Sequence, residues 1–139
     1  MNKNKLPRKM SHFSTIKTKI KEKDFLLEAL NLLGHFPEEE TELKVTGYHG
    51  KGHETVTADI AIAKDSGFKW NNTTGTFELV ADVQTWDMNI PITRFLDKLT
   101  QQYARMMVHN TVKEMDGFEV QEEWEMDNNS IEITVTRWD

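Results

Sequence analysis

A chain of 139 residues, 37% hydrophobic and 29% charged, holds enough apolar material for one compact core. It contains no cysteine, which excludes disulfide scaffolds, thiolate zinc sites, iron–sulfur clusters and cysteine nucleophiles. The net charge of −6 conceals a division, because residues 1–23 carry eight Lys/Arg against Glu22 alone while the remainder carries nine basic and 22 acidic residues.

Residues 1–9 (MNKNKLPRK) show no periodicity and contain Pro7, so they are expected to form a flexible basic arm, with residues 10–139 as a single α+β domain and Met10 as an alternative start to Met1. The basic start is not followed by an apolar run of signal-peptide type, and no apolar run approaches the ~20 residues of a membrane span. A cytoplasmic protein without membrane association is expected. A basic arm on an acidic body could grip nucleic acid. The acidic body opposes a phosphate backbone, and no aromatic residue is interleaved with the first lysines, so a solvated arm is preferred.

Residues 11–20 alternate Ile16, Thr18 and Ile20 with Lys17, Lys19 and Lys21, the pattern of a half-buried strand. Asp24 is placed to cap a helix whose Leu26, Leu27, Leu30 and Leu33 recur at helical spacing, and Gly34 supplies its left-handed stop. The acidic stretch 37–42 reads as a loop. Strands follow at 43–48, 55–63, 68–70 and 76–83, the last two flanking Asn71-Asn72-Thr73-Thr74-Gly75 as a hairpin loop. A long helix opens near Asn89-Ile90-Pro91 and runs to about Met115. Its apolar stripe is Ile92, Phe95, Leu96, Leu99, Tyr103, Met106, Met107 and Asn110, and Gly117 stops it. Two closing strands carry Phe118, Val120 and Trp124, then Ile131, Ile133 and Val135, joined by Asp127-Asn128-Asn129. This order predicts an α+β fold, a mostly antiparallel sheet with two helices packed on one face.

The opening Met-Ser-His-Phe-Ser-Thr-Ile-Lys-Thr-Lys-Ile (10–20), the following Leu-Leu-Glu-Ala-Leu and the closing Ile-Glu-Ile-Thr-Val-Thr-Arg-Trp (131–138) resemble the hypothetical chloroplast reading frame 35 family, a domain of unknown function. Gln102-Tyr103-Ala104 and the Ala-Asp that ends the strand at Asp82 agree with it. The resemblance spans about residues 10–138. It implies a setting in a plastid stroma, a cyanobacterial cytosol or a phage-infected cell, and it brings no catalytic residues with it.

Several constellations could carry chemistry. His49, Lys51 and His53, in a glycine-rich loop, offer an anion or partner contact, and His12 offers another. A structural zinc needs four ligands, and two imidazoles with Glu54 on a loop loosened by Gly50 and Gly52 do not supply them, so no metal is expected there. Ser11 and Ser14 stand beside His12, but adjacency alone establishes neither the third group nor the oxyanion hole that a serine nucleophile needs from distant segments. Asp82, Arg94, Tyr103 and His109 would be the polar groups of a pocket between the long helix and the sheet. Asp82 can equally be held by Arg94 or Arg137 in a structural pair. Tryptophans 70, 86, 124 and 138 are read as core or sheet-face residues, with Trp86 and Trp138 marking a partner surface if exposed.

No arrangement supports a named reaction or a cofactor. The preferred function is a non-catalytic accessory or adaptor protein acting through a protein partner. A small-molecule binder or minor enzyme using the helix–sheet pocket is the first alternative, and nucleic-acid association through the arm is the second.

Overall fold

The computed structural model describes residues 13–46, 53–125 and 131–137. The basic arm, His12, His49, Lys51 and Trp138 therefore lie outside the described residues, as does the 127–129 turn. Among the described residues the elements follow in the order β1 (Phe13–Lys17), α1 (Lys23–Leu32), β2 (Glu38–Thr46), β3 (His53–Ala63), β4 (Ser66–Asn71), β5 (Thr76–Asp82), α2 (Ile92–Glu114), β6 (Phe118–Glu125) and β7 (Ile131–Arg137). The fold is α+β, and among the described residues every strand pairing is antiparallel. The described strands form two sheets: five in the order β1-β5-β4-β3-β2, and β6-β7 as a ribbon of their own.

The chain divides into two compact units, one of residues Met1–Lys21 and His35–Ile92, the other of Glu22–Gly34 and Thr93–Asp139. The first unit is the five-stranded sheet. Strands β2 to β5 form a meander because each connection is short, and β1 returns to pair with β5, placing Phe13 opposite Asp82 and Ile16 opposite Leu79. Across the sheet, Ile60, Phe68 and Leu79 are register neighbours and all are buried. A further cluster joins Leu43, Ala58, Ala61 and Val80, with Phe13 and Val56 packed against it. Gly67 on β4 faces Ala61 and Val80 in register beside a shift between Ala61 and Ala63, and its backbone lies so close to β3 that no side chain fits.

The β4–β5 turn follows its composition. The Asn71 side-chain oxygen accepts the backbone N–H groups of Thr73 (2.8 Å) and Thr74 (3.3 Å), and Gly75 takes φ +70°. Residues 38–42, expected as a loop, open strand β2 instead. As the outer strand β2 needs only one partner, β3, and its glutamates discourage further edge pairing, so poor strand propensity is tolerated there. Val83, expected within the strand at 76–83, lies past its end and is exposed.

In the second unit α1 buries Leu26, Ala29 and Leu30, and α2 buries Phe95, Leu99, Tyr103 and Val112. Asp24 is not the cap. Glu22 occupies that position and makes no side-chain capping bond, while Asp24 sits inside the first turn, where its charge still suits the helix N-terminus. Gly34 and Gly117 adopt φ +90° and +81°, the left-handed stops expected of them. Pro91 precedes α2 by one residue, and Met107 on the expected stripe is exposed.

Candidate functional site

Helical periodicity gives α2 several faces. Phe95, Leu99 and Tyr103 repeat every fourth residue and are buried. The Tyr103 hydroxyl accepts the Glu22 backbone N–H at 2.8 Å, and its ring meets Phe25 edge-on at 6.4 Å. Tyr103 thus ties the start of α1 to the middle of α2 and satisfies one of the helix's orphan donors.

A second stripe, Arg94, Lys98, Gln101, Arg105 and Val108, lines a groove of about 440 Å³ against Ile131 and Ile133 of β7. Asp97, Thr100 and Ala104 complete its helical wall. The Gln101 Nε2 atom is buried and has no hydrogen-bond partner among the described residues.

From the second stripe, Arg105 Nε donates to Glu123 of β6, and His109 Nε2 lies 3.2 and 3.3 Å from the two carboxylate oxygens. Arg105 Nη1 also donates to Gln102 Oε1 at 3.4 Å. The hydrogen bond from Arg105 holds the Glu123 carboxyl below the usual carboxylate range, against an opposing effect of burial and with help from His109. The same bond raises Arg105.

Glu123 reaches this position because of a register shift between Val120 and Glu122. An unbroken strand would put Phe118, Val120 and Trp124 on one face. The extra residue reverses the alternation, so Glu123 turns toward α2 while Trp124, expected to pack, is 56% exposed. Its indole N–H donates to Glu122 at 2.9 Å, and Glu132 stands directly across the ribbon.

Of the residues expected to form one pocket, Arg94 lines the groove and His109 belongs to the neighbouring ion cluster. Tyr103 is spent on the Glu22 bond. Asp82 belongs to the first unit, where it is 2% exposed and its Oδ1 accepts the Gln84 N–H at 2.9 Å. Its own N–H donates to the Asp65 carbonyl, and the Asp65 carboxylate accepts from the Thr85 hydroxyl, so Asp82 closes a chain reversal. Trp86 is half-buried, with its indole N–H donating to the Ile90 carbonyl at 2.9 Å. His53 is described through its backbone alone, paired in register with Thr46. Among the described residues no three His, Asp or Glu groups stand together as metal ligands, and no helix is long and apolar enough to cross a membrane.

Residues 29–134 match the family described as "Protein of unknown function (DUF1257)". The chain is 35% identical over 136 residues to the uncharacterized protein ycf35 of Guillardia theta, covering 93% of this chain and 98% of that one. It is 34% identical over 133 residues to the corresponding protein of Pyropia yezoensis and 31% identical over 133 residues to that of Cyanophora paradoxa, with the same coverage. No solved structure matches the chain significantly.

Proposed function

The chain belongs to the DUF1257 family, and on that premise we propose that it is a non-catalytic accessory protein acting through a protein partner, in the soluble interior of a plastid or comparable compartment. The observation that carries this reading is Trp124. A large aromatic more than half exposed on a short strand is the side chain most enriched among interface hot spots, and its frame here is acidic. Glu122 and Glu132 flank it and Thr134 lies opposite Glu122. The partner of matching chemistry is a basic protein surface, whose Lys or Arg would pair with the glutamates and stack on the indole face.

The test places a photo-crosslinking residue at Glu132 and compares the intact protein with Trp124→Ala and with Glu122→Lys. One discrete basic partner, crosslinked to the intact protein and lost in both variants while their circular dichroism is unchanged, supports the reading. Capture that ignores both substitutions, or a crosslink only to a second copy of the chain, overturns it.

A further inference from the structure

We propose that the groove between α2 and β7 binds a monomeric amphipathic carboxylate, an apolar chain with one anionic head. This is a second site, distinct from the Trp124 face of the ribbon.

The groove is polar at one end and apolar along its length. Arg94 and Lys98, one turn apart near the start of α2, supply two cations at the mouth against the single acid Asp97. Arg105 does not add to that excess, because Glu123 already neutralises it. The positive end of the helix dipole reinforces the same end of the groove. Further along, Ala104 and Val108 of the helix face Ile131 and Ile133 of the ribbon. The volume of about 440 Å³ falls within the range of small-molecule sites.

Gln101 decides the head group. Its amide nitrogen is withdrawn from solvent without a hydrogen bond, a condition that costs stability and is rare in native proteins. It lies between the cationic end and the apolar wall, one turn from Lys98. A carboxylate oxygen seated beside Lys98 would accept from its ammonium and, once the Gln101 amide turns out into the groove, from Nε2 as well, and the chain behind it would run along Ala104 toward Val108. From Lys98 to Val108 the helix axis advances about 15 Å, which suits a medium-length saturated chain. A cationic head would meet two like charges, and a short carboxylate would leave the apolar wall wet.

The test is calorimetric titration of the full chain with dodecanoate below its micellar concentration, beside dodecyltrimethylammonium (same tail, opposite head) and acetate (head without tail). Saturable one-to-one dodecanoate binding is expected, about tenfold or more tighter than the ammonium, with none for acetate. Lys98→Glu and Val108→Glu, at the two ends, should each abolish the preference or the binding. Gln101→Leu should weaken dodecanoate about tenfold while leaving the melting temperature equal or higher, since it removes an unsatisfied donor. Trp124→Ala should leave the titration unchanged, so this site and the ribbon surface can fail independently. Equal affinity for both head groups, absence of saturation, or indifference to Lys98→Glu and Val108→Glu overturns the assignment. So does loss of binding in Trp124→Ala.

Discussion

Replacing Gly67 by alanine adds one carbon, and the five-stranded sheet has nowhere to put it. A Cβ on the existing backbone would stand 2.6 Å from the Ile60 carbonyl oxygen, 3.0 Å from the Ala58 Cβ and 3.0 Å from the Ala61 Cα. Ordinary carbon–oxygen contacts begin at about 3.3 Å, so a main-chain oxygen on β3 must retreat by roughly 0.7 Å. That oxygen belongs to a strand held on both sides by β2 and β4, and it cannot swing away as a side chain would. Overpacking of this kind costs about 1–3 kcal/mol, and the lower backbone entropy of alanine in the unfolded chain returns about 0.4–1 kcal/mol. The net loss is about 1–2 kcal/mol, or about 4–8 °C in Tm for a chain of this length. Urea melts of both proteins by far-ultraviolet circular dichroism would show a lower midpoint at unchanged slope. Adding Ala58→Gly removes one of the three clashes and leaves the carbonyl in place, so it should not restore stability. Equal or higher stability of Gly67→Ala would refute the close approach of β3 and β4.

Leu30→Ala and Leu99→Ala each remove a fully buried side chain from a helix and should cost about 2–5 kcal/mol in the same melts, with values below about 1 kcal/mol at both contradicting the helical phase. Tyr103→Phe keeps the ring against Phe25 and strips the acceptor from the Glu22 N–H, a loss of about 1 kcal/mol that should disappear in a Glu22→Pro background, where there is no N–H to satisfy. Glu123→Gln should cost about 0.5–1 kcal/mol near neutral pH. Because the folded carboxyl titrates below its ordinary value of 4.5, that contribution is complete above this value and disappears as the pH falls through the folded pKa. Wild type and variant should therefore converge in acid, and a stability gap that persists in acid would assign Glu123 a role other than its ion pairs.

The order of strands and helices was legible because periodicity and punctuation agreed. Leu26 and Leu30 marked α1, Gly34 and Gly117 ended the helices, and Asn71 to Gly75 turned a hairpin. The resemblance to the plastid reading frame 35 family was also legible from residues 10–20 and 131–138, and the ycf35 relatives support it for the plastid lineage, without bearing on phages. Where pairing overrides propensity, periodicity was silent, as at the acidic start of β2. The bulge after Val120 reversed the roles of Glu123 and Trp124, since alternation gives no sign of one extra residue. Of the polar residues grouped from the sequence, Arg94 and His109 lie on or beside the α2 faces that meet the ribbon, while Asp82 and Tyr103 make local structural bonds. Lys98 and Gln101 carried a signal in their helical spacing from Arg94. Glu123, Ile131 and Ile133 reach the site through tertiary placement alone.

The bond from Glu22 to Tyr103 joins residues 81 positions apart. During synthesis, α1 leaves the ribosome long before its partner helix exists: 59 residues separate Leu32 from Ile92. At about 5–20 residues per second, that interval lasts several seconds. The β1–β5 pairing imposes a similar delay on the first strand. Both units are thus closed by their latest parts, a non-local order that slows folding and leaves the Glu22 N–H and the Phe25 ring without Tyr103 until the long helix is made.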